Sequence, residues 1–179
     1  LAGGAMLDIG VYALSIVRSF MEETPTNILS QWKPSPTGSD EQATVLLQNS
    51  LGQMATVALS MHSKQPKRAM ISCEKGYIEI MEYPRADKAV IVDAETGART
   101  EVAAGSTADA LYYEMLDMEH AVQTRDASAM CLGYSRDVME SERILLDNGF
   151  RERYGMLMAV AELTGAVVWV SSTGLEMMN

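Results

Sequence analysis

The sequence lacks the short motifs that most often mark a phosphate, cofactor or catalytic metal site. No GxGxxG run is present, so the usual dinucleotide-binding loop between a strand and a helix has no counterpart here. A P-loop, a GxSxG turn, an HExxH pair and a clustered set of metal-binding carboxylates are also missing. We therefore expect no metal and no tightly bound dinucleotide on this chain alone.

Cysteine and histidine are scarce as well. Cys73 and Cys131 stand alone, without a CxxC pair, and two cysteines cannot build a disulfide framework for a chain of 179 residues. A reducing, cytoplasmic setting is the resulting expectation. The two histidines, His62 and His120, lie far apart in the sequence, and neither has the neighbours of a metal ligand.

Basic residues are the minority among the charged ones. The 14 Lys and Arg are outnumbered by 24 Asp and Glu, which gives a formal net charge of −10 at pH 7. Such a charge disfavours binding to nucleic acid or to anionic lipid. A basic cluster at Lys64, Lys67 and Arg68 is interpreted as a solvated turn around Pro66. We expect neither nucleic acid nor a membrane as a partner.

Hydrophobic residues make up 47% of the chain, enough for one domain with a core. Their spacing predicts a helix over 4–22, which ends before Pro25. Turn-forming residues between β-rich runs then predict successive antiparallel hairpins. The predicted strands are 28–32, 43–47, 54–61, 69–72, 77–81, 89–92 and 100–102, and two further helices are predicted over 107–125 and from 135 to 149.

This order of elements predicts an α+β fold, in which helices pack on one face of a largely antiparallel, open-faced β-sheet. Apolar side chains that alternate on the uncovered face would form a large exposed patch. We therefore expect a homodimer that forms through the open sheet face. A face made wettable by polar residues is the alternative.

An acid and a phenol stand four residues apart near the start of the chain. On a helix this spacing places Asp8 and Tyr12 on one face, where the tyrosine can exchange a proton near the carboxylate. Purely structural roles are also open, because acids are favoured near helix N-termini and tyrosines often bury their rings.

Four segments carry a resemblance to a known family. The opening segment, with Gly3-Gly4, Asp8, Gly10 and Tyr12-Ala13-Leu14, resembles the second signature of the Gfo/Idh/MocA oxidoreductases. Within this family, many relatives carry histidine at the position of Tyr12. The tyrosine resembles the dihydrodiol dehydrogenase-like branch. Residues 40–44, 62–68 and 74–79 also resemble that branch, in the same order. The resemblance covers residues 1–149.

The resemblance implies the C-terminal, substrate-binding and dimerisation domain of such an enzyme, related in fold to glyceraldehyde-3-phosphate dehydrogenase. It implies Tyr12 as the proton-exchanging group, aided by a lysine of a separate nucleotide-binding domain, and Asp8 as the residue that orients a substrate hydroxyl. Gly3 and Gly4 would let the backbone approach substrate and cofactor, and His62 would line the cleft. The cofactor implied for a full-length parent is NAD or NADP, and the substrate a sugar, polyol or dihydrodiol.

Two interpretations remain open at this stage. The chain is either the substrate-binding and oligomerisation half of an NAD(P)-dependent dehydrogenase, inactive without a Rossmann domain, or a non-catalytic dimerisation or ligand-binding module that retained the fold. Residues 150–179 form an apolar tail that resembles nothing familiar. Glu162 and Gly165 within it argue against a membrane span.

Overall fold

Antiparallel sheets and helices divide the chain into two units. The computed structural model describes residues 4–145, 168–171 and 174–177. Unit 1 comprises residues 1–64 and 136–179, and unit 2 comprises residues 65–135. The predicted α+β class is confirmed, since every strand pair in the described residues is antiparallel and α-helices stand before and after a run of seven strands.

The first helix that the structure describes in unit 1 combines a π turn with an α-helix. A π turn over Met6–Gly10 runs directly into α1, Val11–Phe20, and the backbone becomes extended at Met21. The sequence predicts this helix with its ends displaced by one or two residues, but it does not predict the π turn. The buried residues of this helix are Met6, Gly10, Ala13 and Leu14.

Three strands of unit 1 form a sheet in the order β1-β2-β3. They are β1, Asn27–Pro34, β2, Asp40–Gln48, and β3, Met54–Ser60. The tight turn between β2 and β3 includes Gly52 at a φ of 80°, a left-handed conformation that glycine adopts without steric cost. The predicted hairpin at this position is confirmed.

The two faces of this sheet differ in burial. The helix packs on the inner face, where a Cβ added to Gly10 would lie 3.5 Å from Leu59 Cδ1. Buried residues of the inner face are Ile28, Ala43, Val45, Leu47, Val57 and Leu59. The outer face has exposed strand residues and carries Leu29, Gln31, Thr44, Leu46, Thr56 and Ala58. We call the sheet of β1, β2 and β3 sheet 1, and its outer face is open.

Helix α3, Leu132–Leu145, is tied to the end of α1 by an ion pair. Arg18 Nε donates to Asp137 Oδ2 at 2.8 Å, and Arg18 Nη1 donates to the Met21 carbonyl at 2.7 Å. The guanidinium lowers the pKa of the Asp137 carboxyl from its ordinary value. Both side chains are largely shielded from solvent. The pair joins two elements that are more than a hundred residues apart in the sequence.

Unit 2 contains a second sheet, of strand order β4-β5-β6-β7. Its strands are β4, Arg68–Cys73, β5, Gly76–Met81, β6, Lys88–Asp93, and β7, Arg99–Ala103. The predicted hairpins β4–β5 and β6–β7 are confirmed. The expectation of one continuous sheet is not met, because the ladder that ends at β3 is not continued by β4. Between them lies a polar, exposed segment whose Pro66 has no N–H to donate.

Helix α2, Ala110–Thr124, follows the second sheet and has no buried residue. Its sequence has apolar residues at helical spacing, which predicts a stripe packed on a sheet. In the structure that stripe is exposed, and it consists of Leu111, Met115, Met118 and Val122. The periodicity therefore identified the helix correctly but not the environment of its apolar side.

Two short strands fall within the predicted tail. They are β8, Val168–Ser171, and β9, Gly174–Met177, and they pair antiparallel. The remainder of residues 150–179, including Glu162 and Gly165, lies outside the described residues. The proposed boundary at residue 149 stays a prediction. Among the described helices, none combines the length and the hydropathy needed to cross a membrane.

Glu142 on α3 makes the stability of the chain dependent on pH. It is only 6% exposed, and its Oε1 has no hydrogen-bond partner among the residues that the structure describes. Burial raises the pKa of this carboxyl from 4.5 to about 7. Between these two values the folded chain keeps a proton that the unfolded chain has released. The free energy of unfolding should therefore fall as pH rises, by about 3 kcal/mol in total.

The substitution Glu142→Gln should remove this part of the pH dependence, because the amide stays neutral. Urea unfolding at pH 5 and pH 8 measures the effect, and the variant should exceed the wild type in stability at pH 8. Glu140→Gln is the matched control on the same helix, since Glu140 is exposed and already paired with Arg143. Equal pH dependence of the wild type and Glu142→Gln would contradict the assignment.

Candidate functional site

Asp8 and Tyr12 lie on the helix that begins unit 1. Asp8 is the middle residue of the π turn, and Tyr12 is the second residue of α1. Asp8 is half-buried, and Tyr12 is 49% exposed. Since Met6 and Gly10 are the buried residues of this turn, Asp8 and Tyr12 belong to the side of the helix that sheet 1 does not cover.

The π turn affects how these two side chains are aligned. Its hydrogen bonds join residues five apart, so the turn holds more residues than an α turn. A residue four positions later then lies more nearly above the first one than it would on an α-helix. Turns of this kind often occur at functional sites. The π turn thus favours a close alignment of Asp8 with Tyr12.

Both side chains have unused hydrogen-bonding capacity. Neither makes a hydrogen bond or ion pair with another residue in the part of the chain that the structure describes. A carboxylate can accept hydrogen bonds, and a phenol can both donate and accept one. The pair can therefore engage a hydroxyl group that arrives from solvent.

A buried carboxylate from sheet 1 holds the start of this helix. Asp40, the first residue of β2, is 2% exposed, and its Oδ2 accepts a hydrogen bond of 2.7 Å from the Met6 backbone N–H. Burial raises the pKa of the Asp40 carboxyl above its ordinary value of 3.8, and the Met6 N–H partly offsets this. Asp40 satisfies one of the N–H groups that a helix leaves unpaired at its N-terminus.

Gly4 is the residue that makes room for this carboxylate. A Cβ at position 4 would overlap Asp40 Oδ1, so any side chain there would displace the aspartate. From the sequence, Gly4 is expected to allow close approach of substrate or cofactor. The close approach that the structure contains is that of Asp40. Gly3 lies outside the described residues.

His62 lies just beyond β3, at the same end of sheet 1 as Asp40. The Met61 N–H donates to the Glu41 carbonyl at 3.0 Å, and the His62 side chain is exposed. Lys33, which donates to Glu41 Oε1 at 2.8 Å, lowers the pKa of the Glu41 carboxyl, with a smaller contribution from His62. The structure therefore brings Gly4 and His62 to one end of the sheet through the adjacent residues Asp40 and Glu41.

Gln42 supports the turn that carries His62. Its Nε2 donates to Ser63 Oγ at 3.0 Å, and Ser60 Oγ accepts the Ser63 N–H at 2.9 Å. Sequence reasoning did not identify Gln42 or Asp40 as parts of the site. The only signal was indirect, because both fall in the segment 40–44 that resembles the family.

Other features of the described residues involve none of the predicted site residues. A shallow groove of about 380 Å³ is lined by residues of unit 2, among them Arg85, Asp87 and Tyr113, and none of the predicted site residues lines it. In the described ranges, no three histidine, cysteine, aspartate or glutamate side chains are placed to hold a metal ion.

Comparison with known proteins finds a family model that matches the first part of the chain. Residues 1–79, which include the π turn, Asp40 and His62, match the model of the GFO/IDH/MocA C-terminal domain. These 79 residues are thus similar to the C-terminal domain of the Gfo/Idh/MocA oxidoreductases, and the resemblance drawn from the motifs is confirmed for this part of the chain.

The curated relatives that match part of the chain carry the name of one enzyme. The chain is 31% identical over 96 residues to a trans-1,2-dihydrobenzene-1,2-diol dehydrogenase of Xenopus tropicalis, a match that covers 53% of this chain and 29% of the relative. It is 32% identical over 82 residues to the enzyme of that name from Oryctolagus cuniculus, covering 45% of this chain and 25% of the relative. The matched region thus spans less than a third of these relatives.

Solved structures support the fold. A UDP-N-acetylglucosamine 3-dehydrogenase, GnnA from Acidithiobacillus ferrooxidans, superimposes with a TM-score of 0.60 over 78% of this chain and 47% of the enzyme. The two sequences are 18% identical, so the likeness concerns the fold alone.

Proposed function

We propose that this chain is the substrate-binding and oligomerisation part of an NAD(P)-dependent dehydrogenase that acts on a CH–OH group. The observation that carries the proposal is the exposed Tyr12 one turn after Asp8, in a segment that matches the GFO/IDH/MocA C-terminal domain. The names of the relatives favour a cyclic diol as substrate, with a sugar or polyol as the wider class.

The chemistry assigned to this chain is proton exchange. During oxidation of the alcohol, the hydroxyl proton passes to the ionised Tyr12 Oη, and the O–H bonding pair forms the new C=O bond. Asp8 accepts a hydrogen bond from a substrate hydroxyl and so orients the carbon that reacts. NAD or NADP, when bound to the full-length protein, would supply the acceptor for the hydride of this carbon.

The residues present fit the substrate side of this reaction but not the binding of a dinucleotide. The chain has no GxGxxG loop that could hold a pyrophosphate. We therefore place NAD or NADP on another part of the full-length protein, and we assign no residue of this chain to holding it. The lysine that would stabilise an ionised Tyr12 is expected from that other part too.

The substitution Tyr12→Phe in the full-length protein tests the proposal. Loss of the proton-exchanging hydroxyl should lower kcat for NADP-dependent oxidation of trans-1,2-dihydrobenzene-1,2-diol by about 10²–10⁴-fold. Tyr112→Phe is the matched control, because Tyr112 is an exposed tyrosine on α2, and it should leave kcat unchanged. Steady-state rates of nicotinamide reduction give the measurement, with NAD and a panel of sugars in parallel.

An unchanged kcat in Tyr12→Phe would contradict the assigned role of Tyr12. A wild-type protein without activity on any of these alcohols, but with an intact dimer, would favour the non-catalytic module.

We further propose that two copies of the chain associate through the outer face of sheet 1. This face presents Leu29 beside Leu46 in paired register on β1 and β2. The three strands contain two acidic residues, Asp40 and Glu41, and neither is exposed. A second copy could therefore approach without the repulsion that a net charge of −10 causes elsewhere. Burial of both leucines would then stabilise the dimer.

The substitution Leu46→Asp should convert the dimer to a monomer, because it buries an unpaired charge at the centre of the face. Met115→Asp, on the exposed side of α2, is the control and should leave the dimer intact. Sedimentation equilibrium measures the mass of each variant. A wild-type monomer, or a Leu46→Asp variant that stays dimeric, would refute association through this face.

A further inference from the structure

Asp40 is much more buried than a side chain needs to be if its only role is to cap the first turn of a helix at the protein surface. It is 2% exposed, and it reaches across 34 residues of sequence to the first residue of the π turn. Burial of a carboxyl costs free energy, and an isolated helix start needs only a local Ser, Thr, Asn or Asp to cap it. The position of Asp40 is therefore costly, and the helix that it holds is the one that carries Asp8 and Tyr12.

We propose that Asp40 is a positioning residue, which fixes the π turn and thereby sets Asp8 and Tyr12 in the geometry that the reaction needs. This inference rests on the proposed function. Asp40 itself need not touch the substrate, since its contact is with the Met6 N–H.

Two glycines leave space at the two ends of the π turn. At the start, Asp40 binds the Met6 backbone, and Gly4 leaves the space that the carboxylate occupies. At the end, a Cβ on Gly10 would lie 2.6 Å from Met6 Sδ, so the absence of a side chain at position 10 lets Met6 fold back along the turn. Met6 is thus bound through its backbone N–H, and its side chain is almost fully buried.

Such a constraint matters for proton exchange. A displacement of about 1 Å at a catalytic group can cost about 10²-fold in rate. The first turn of a helix frays easily, because its N–H groups have no intrahelical partners. Asp8 lies two residues after Met6, so fraying there would move the acid relative to Tyr12. A hydrogen bond from a strand removes that freedom.

The test compares Asp40→Ala with Asp40→Asn in the full-length protein. Asn can still accept the Met6 N–H through its amide oxygen, whereas Ala leaves the N–H unpaired. We expect Asp40→Ala to lower kcat by about 10–100-fold with KM changed less than threefold, and Asp40→Asn to recover most of the loss. The pH profile of kcat should keep its shape in Asp40→Asn, since the contact works through geometry rather than charge.

Asp93→Ala is the matched control. The Asp93 carboxylate also accepts backbone N–H groups, those of Glu95 and Thr96, but it does so in an exposed turn of unit 2. Its loss should leave kcat unchanged. A folded Asp40→Ala variant with wild-type kcat would overturn the proposal, as would equal losses in the Ala and Asn variants.

A second variant covers the case in which Asp40→Ala does not fold. Replacing the Met6 amide by an ester removes the N–H that Asp40 accepts and leaves every side chain in place. We expect faster amide exchange confined to residues 7–12, with the same loss of kcat. Unchanged exchange in this segment would overturn the inference. If the wild type has no dehydrogenase activity, only the proposed function fails, and amide exchange still decides whether Asp40 fixes the turn.

Discussion

The hydrogen bond from the Met6 N–H to Asp40 Oδ2, 2.7 Å long, joins the two parts of the candidate site. On one side of it lies the helix with Asp8 and Tyr12. On the other side lies the end of sheet 1, where β2 begins and where the turn with His62 follows β3. The bond forms only because position 4 has no side chain. Two motifs far apart in sequence therefore depend on one glycine and one buried acid.

The inner and outer faces of sheet 1 differ in composition because side chains alternate between the two faces along each strand. The helix packs on the inner face, where the buried hydrophobic residues of the three strands are all aliphatic. The outward residues are apolar or uncharged at the centre of the face, in a chain that is otherwise strongly acidic. The period of two along a strand allows one sheet to position a site on one face and offer a binding surface on the other.

Local patterns predicted much of this fold. Hairpins were evident from β-rich runs separated by turn residues, and Gly52 adopts the left-handed conformation that such turns need. The spacing of Asp8 and Tyr12 predicted that they share a helix. The π turn was not predictable, because apolar periodicity does not distinguish one wider turn from an α turn. The Asp40 contact spans 34 residues, and no local rule reports such a distance. The interruption of the sheet after β3 was missed for a similar reason, since ladder continuity depends on tertiary contacts.

The most direct test of the account follows the Met6 amide proton by NMR as Asp40 is titrated. If the carboxylate accepts this N–H, the Met6 amide signal should move with the protonation of Asp40, with a midpoint above the ordinary pKa of 3.8 because the carboxyl is buried. The amide of Glu95, which is bonded to the exposed Asp93, should move at a midpoint below that value. A Met6 amide signal that does not respond to the Asp40 titration would contradict the account.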